Sequence, residues 1–169
     1  MYILKETEDL KYIFDYLVKI AKLSTCKRSK CGSIIIRGDI TNKFNPFYRD
    51  TDIIGKGYNS MPCNEVAECF KDTLSPTFKS DKTCCIHSEQ RCIIDGLRGR
   101  NTADLVRGST LFFIRLDETD QPKHSGKPYC SICSKMALDV GIKKFVLWHK
   151  EGWTAYDTKE YNDLTFQYK

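Results

Sequence analysis

Ile86-His87-Ser88-Glu89-Gln90 and Cys130-Ser131-Ile132-Cys133 are the two stretches around which the rest of this chain is arranged. Both fall at the start of an apolar-spaced helical segment, each after a loop, in a βαβαβ context. One imidazole and two thiolates suit a catalytic zinc, which takes three protein ligands and keeps a fourth position for water. In that reading His87, Cys130 and Cys133 hold the metal and Glu89 moves protons. Helix starts favour thiolates, because free N–H groups and the helix dipole stabilise negative charge there. Cysteines three apart also project from one helix face and can share an ion. Either fragment alone reads equally well as a solvated turn; the conjunction carries the specificity.

Outward from these fragments, apolar residues at three- and four-residue spacing predict a first helix over 8–23, through Leu10, Ile13, Phe14, Leu17, Ile20 and Ala21. A basic loop, Ser24 to Lys30, leads into a β-branched strand over 31–37, and 52–58 reads as its antiparallel partner. Residues 59–85 look irregular and hold Cys63, Cys69, Cys84 and Cys85. A structureless stretch of that length in a compact domain has a functional reason, and metal cross-linking is one. A helix over 86–97 places His87 and Glu89 in its first turn. Strands follow at 109–116 and 143–148, separated by a polar loop over 117–128 and a helix over 131–140 that Gly141 closes. The aromatic tail, 151–169, has no assignment. Strands alternating with helices argue for an α/β fold with a mostly parallel sheet covered on both faces.

The 169 residues suit one domain, 1–169, with no repeat, linker or low-complexity tract. No apolar run reaches the length of a membrane span. Lys5, Glu6, Glu8 and Asp9 near the start are unlike a signal peptide, so the expected location is cytoplasmic. Nine cysteines in a reducing compartment read as metal ligands or buried thiols rather than disulfides. A net charge of +5 suits an anionic small molecule and nucleic acid alike, and decides between neither.

Four segments in order resemble the cytidine/deoxycytidylate deaminase superfamily, and most of all its zinc-dependent dCMP deaminases. Ala21–Gly32 (AKLSTCKRSKCG) is similar to the segment after the family's first helix, and Gly57–Pro62 (GYNSMP) to a GYNGMP-type motif. Ile86–Gln90 (IHSEQ) is similar to IHAEQ, and Cys130–Lys135 (CSICSK), with Val140–Lys144 after it, to PCPxCAK…GIK. The likeness covers most of residues 10–148. It implies a three-layer α/β/α sandwich with a five-stranded mixed sheet, and hydrolytic deamination of dCMP to dUMP and ammonia. It implies that Asn59 bonds the substrate sugar, although a plain turn residue after a strand fits that position too. It further implies that Ser88 offers its backbone N–H to the base carbonyl, and that the family habit of forming homo-oligomers extends to this chain. Lys27, Arg28 and Lys30 either face the phosphate or form a solvated loop.

The chain departs from the pattern at Tyr129, where the family has Pro, and at Arg91-Cys92, where an Asn-Ala pair is common. Tyr129 either stacks on the base or fills the wall of the site, and a large cation at Arg91 changes contacts to sugar or phosphate. Viral-type relatives hold a second, structural zinc; the positions here that match its ligands are Cys26, Cys69 and Cys85, with Cys84 or Cys63 to complete a Cys₄ set. Reduced, partly buried thiols are the alternative, and Cys31 and Cys92 read as core packing. Two other functions remain beside dCMP deamination. One is deamination of cytosine in single-stranded nucleic acid or in another amino-pyrimidine, against which the lack of an extra basic region speaks. The other is a zinc-stabilised binding module, against which the intact His87, Glu89, Cys130 and Cys133 speak.

Overall fold

Thr7 starts the first helix: its side chain accepts the N–H of Leu10, and Glu8 and Asp9 occupy the positive end while Lys19 and Lys22 occupy the negative end. The helix, α1, runs Glu8–Lys22 and buries Leu10, Ile13, Leu17, Ile20 and Ala21, the stripe expected from its spacing, with Phe14 partly buried beside it. The computed structural model describes residues 1–26, 29–40, 50–64, 85–99 and 102–167.

Among these residues the strands are β1 (Tyr2–Ile3), β2 (Lys30–Ile36), β3 (Ile53–Tyr58), β4 (Thr110–Leu116), β5 (Pro122–Lys123), β6 (Lys144–His149) and β7 (Gly152–Asp157). The remaining helices are α2 (Ser88–Arg98), α3 (Ala103–Val106), α4 (Ser131–Asp139) and α5 (Thr158–Thr165). They form an α/β fold around one mixed sheet of order β1-β7-β6-β4-β2-β3, with β5 paired to β4. The sheet has seven strands rather than five: β2, β3, β4, β6 and β7 are the long ones, and β1 and β5 add two-residue edges.

The sheet is not mostly parallel. Only β4 and β6 pair in parallel; every other pair is antiparallel. Alternation of strands and helices misleads here because β2 also pairs antiparallel with β4, and because β6 and β7 form a hairpin joined without a helix. This hairpin lies in the aromatic tail, where Gly152, with φ of 122°, turns the chain and Trp153 pairs with Trp148. The polar loop over 117–128 contains β5.

Period-two alternation sorts the strand residues into two layers. Ile34, Ile36, Phe112, Ile114 and Val146 face α1, together with Trp153. Ile35, Leu111, Phe145 and Leu147 face the opposite layer, where Cys92 and Ile93 of α2, Ala137 of α4 and Tyr161 of α5 meet them. This gives the three layers. Burial of each such Leu, Ile or Phe contributes about 1.5–3 kcal/mol.

The strand directions place the site. Since β2 is antiparallel to both β3 and β4, β3 and β4 run the same way with β2 between them. Helix α2 links β3 to β4, and α4 links β4 to β6. Both helices therefore start at one edge of the sheet, and the two apolar clusters put them on the same face.

Candidate metal centre

His87 and Cys130 are the caps of these two helices. His87 precedes α2 in extended backbone (φ −69°, ψ 151°), and Gln90 Oε1 accepts its N–H at 3.2 Å, half of a capping box. His87 thus stands just before the helix rather than in its first turn, held on the other side by the Ser60–Ile86 bridge. Cys130 caps α4, and its Sγ accepts the N–H of Cys133 at 3.4 Å.

Within this frame His87 Nδ1 lies 3.3 Å from Cys133 Sγ and 3.4 Å from Cys130 Sγ, and the two sulfurs are 3.2 Å apart. Among the described residues this is the group of three that could hold a metal ion. Zinc bonded to two thiolates and an imidazole at tetrahedral angles needs about 3.8 Å between sulfurs and about 3.6 Å from nitrogen to sulfur. The observed nitrogen–sulfur edges are about 0.2–0.3 Å shorter and the sulfur–sulfur edge about 0.6 Å shorter, so the two thiols would move apart to take the ion. The donor set, a borderline nitrogen with two soft sulfurs, suits zinc over magnesium or calcium. The electrostatics agree. The side-chain hydrogen bond between the two cysteines brings the Cys130 thiol down to about 4, with His87 and the Cys133 N–H acting the same way against burial. Cys133 is pushed up, first by its side-chain hydrogen bond with Cys130 and then by its burial.

Glu89 comes from the first turn of α2 and is 6% exposed. Burial pushes its carboxyl above the ordinary range, while the His87 ring and the Ser88 hydroxyl pull the other way. Ser88 Oγ donates to Glu89 Oε2 at 3.0 Å, and Ser33 Oγ on β2 lies 2.8 Å from Ser88 Oγ. The same carboxylate reaches Cys133, so one group touches both the serine chain and the ligand set.

The structure places the other expected residues as follows. Asn59, buried directly after β3, binds protein: Oδ1 accepts the Cys31 N–H at 2.7 Å and the Ser24 hydroxyl at 2.8 Å, and Nδ2 donates to the Ser29 carbonyl at 2.9 Å. Tyr129, directly before Cys130, is 55% exposed. Lys30 pairs with Asp120 at 2.7 Å, and Arg91 Nη2 donates to the Met61 carbonyl at 2.7 Å. Cys92 is fully buried in the α2 layer, as its core reading requires, whereas Cys31 is half-buried at the start of β2. Cys26 and Cys85 are half-buried and Cys63 is exposed; none of them joins a group of potential ligands among the described residues. Lys27, Arg28, Cys69 and Cys84 lie outside the described residues.

Two contributors escaped the sequence reading. Ser33 is a polar residue on the α2 face of an otherwise apolar strand, and its two-residue spacing from Ile35 was the available signal. Tyr161 lies in α5, inside the unassigned tail. It is 4% exposed, stacks on Phe145 at 4.0 Å and bonds the Tyr129 backbone. Burial pushes its hydroxyl up, and so does negative charge on Glu89, Cys133 and Cys130. Next to it, Ser134 of α4 donates to Asn162 Oδ1 at 2.8 Å, tying α5 to the cysteine helix.

In fold the chain is similar to the crystal structure of dCMP deaminase from the cyanophage S-TIM5 in its apo form: TM-score 0.50, with 83% of this chain and 82% of that one covered at 19% identity. No protein-family profile matches the sequence, and no curated protein matches it.

Proposed function

We propose that this chain is a zinc-dependent hydrolase that converts dCMP to dUMP and ammonia. The observation that carries the proposal is the closed His87–Cys130–Cys133 triangle with the buried Glu89 carboxylate beside it. The phage protein of similar fold, a dCMP deaminase, supports the choice of substrate. No helix of the described residues is long and apolar enough to cross a membrane.

His87, Cys130 and Cys133 would hold the zinc, which when bound brings the pKa of a water down towards neutrality. Glu89 takes a proton from the attacking water and gives it to ring N3 as the oxygen adds to C4. It then carries the second proton from that oxygen to the exocyclic amine, which leaves as ammonia while the C4 carbonyl forms. A carboxyl raised by burial suits both transfers, because it can hold a proton between them. The Ser88 N–H, at the open start of α2, would donate to the base carbonyl. Asn59 shapes the wall by fixing Ser24, Ser29 and Cys31 rather than by offering a free amide oxygen. Lys27 and Arg28 supply the phosphate contact in this scheme, Tyr129 covers the base, and the working form is a cytoplasmic homo-oligomer. A second zinc held by Cys26, Cys69, Cys84 and Cys85 would pin the segment between β3 and α2.

The test is ammonia release from zinc-loaded protein given dCMP, deoxycytidine, CMP and a dC-containing oligonucleotide in parallel. Turnover of dCMP that falls at least about a hundredfold in Glu89→Gln, with zinc retained, is the expected result. Turnover of the oligonucleotide alone would move the substrate to single-stranded nucleic acid. Silence on all four with zinc bound would replace the enzyme by a binding module.

A further inference from the structure

We propose that Ser33, a strand residue remote in sequence from the metal ligands, is a positioning residue for Glu89 and acts through the Ser88 hydroxyl. The inference deepens the hydrolase reading and rests on it.

Three buried groups form one chain. Ser33 and Ser88 are both 0% exposed and Glu89 is 6% exposed, so water cannot stand in for any of the bonds. Ser88 has one hydroxyl proton, and the carboxylate, which only accepts, takes it at 3.0 Å. The 2.8 Å contact between the serines must then run from the Ser33 proton to a Ser88 lone pair. Direction is thereby fixed along the chain: Ser33 holds the Ser88 rotamer, and Ser88 holds Glu89 Oε2. With one oxygen committed, Glu89 has a single oxygen to offer to the reacting groups on the Cys133 side.

The backbone leaves little room for another arrangement. Ser33 pairs with Gly57 on β3, and the missing side chain at Gly57 is what lets α2 lie against the strand: a Cβ there would stand 2.4 Å from the Ser88 carbonyl oxygen and the Cys92 nitrogen. Ser88 is thus pressed onto the sheet at the one place where β2 offers a hydroxyl instead of an isoleucine. Ile35, two residues along the same face, packs on the α2 layer as carbon. Had Ser33 served packing alone, an apolar residue there would have met the buried face of α2 equally well.

The experiment compares kcat and KM for dCMP in zinc-loaded wild type, Ser33→Ala, Ser88→Ala, the double variant and Glu89→Gln, with zinc stoichiometry and thermal midpoint read for each. Loss of a charge-assisted bond to the working carboxylate should lower kcat about tenfold in Ser88→Ala, and loss of its support about threefold in Ser33→Ala, at nearly constant KM and full zinc content. Because Ser33 acts through Ser88, Ser33→Ala should add nothing in the Ser88→Ala background. Unchanged kcat in Ser33→Ala, or the same loss with and without Ser88, overturns the proposal. The Glu89 carboxylate stretch, taken from the infrared difference between wild type and Glu89→Gln, gives a readout independent of turnover. It should shift in Ser33→Ala, and a band that does not move overturns the proposal even if dCMP is not the substrate. Full activity in Glu89→Gln would instead overturn the hydrolase reading.

Discussion

On one face of the sheet, Leu10, Ile13 and Leu17 of α1 meet Ile34, Phe112 and Val146, all apolar and all buried. On the other, α2 and α4 bring Ser88, Glu89, Cys133 and Ser134 to the same depth. The first face gains from removing carbon from water, and it tolerates any side chain of similar shape. The second also buries carbon, around Ile35, Ile93, Leu111 and Phe145, but each of its polar groups must find a partner, since an unpaired buried polar group costs about 1–3 kcal/mol. Its partners are mutual: Ser33 with Ser88, Ser88 with Glu89, Cys130 with Cys133 and His87, Ser134 with Asn162. One face should therefore report on stability, and the other on metal and chemistry.

The sharpest way to break that division is Cys133→Ser. It should abolish stoichiometric zinc binding and lower dCMP turnover at least about a thousandfold, measured by metal analysis and ammonia release. Leu17→Ala, fully buried on the α1 face, should do the converse. It should cost about 2–5 kcal/mol in a denaturant titration and leave zinc content and kcat unchanged. A drop in kcat at full zinc content in Leu17→Ala would mean that the two faces are coupled through the sheet. Gly57→Ala lies between these cases. Its new Cβ would meet backbone atoms of Ser88 and Cys92 at 2.4 Å, which no rotamer can relieve. It should cost about 1–3 kcal/mol by overpacking and, because α2 carries His87 and Glu89, lower kcat as well.

The legibility of the sequence follows the same division. The spacing of Leu10, Ile13, Leu17 and Ala21, with Ile34 and Ile36 two apart on their strand, announces the α1 face, because burial of carbon leaves a periodic trace. The metal triangle was legible for a different reason: imidazole and thiolates at helix starts are a chemical pattern, independent of hydrophobicity. What supports the triangle left neither trace. Ser33 interrupts an apolar strand by a single hydroxyl, and its partner Ser88 is more than fifty residues away. The motif around Asn59 does not show that Ser24 and Cys31 fold back onto it. The antiparallel pair of β2 with β3 was legible, but the sheet direction failed for a comparable reason: helix–strand alternation does not register that β2 also lies antiparallel to β4, nor the β6–β7 hairpin in a tail whose tyrosines have no periodic pattern.

Tyr161 belongs to both sides of the comparison and gives the smallest and most diagnostic effect. Its ring is core, stacked on Phe145 and edge-on to Tyr156 at 5.8 Å. Its hydroxyl is part of the site's support, bonded to the Tyr129 backbone immediately before the ligand Cys130. Tyr161→Phe keeps the ring and removes only the hydroxyl, so the packing contribution stays and about 1 kcal/mol of hydrogen bonding is lost. If the hydroxyl serves only stability, the thermal midpoint falls by a few degrees and zinc affinity is untouched. If it fixes the approach of Cys130, zinc affinity measured by competition with a chelator falls about tenfold or more, as for groups that orient metal ligands. We expect the second result. Cys130 takes its position from the cap of α4 and from the residue before it; the tail holds α4 through Ser134 and Asn162, and it holds the backbone at Tyr129 through this hydroxyl.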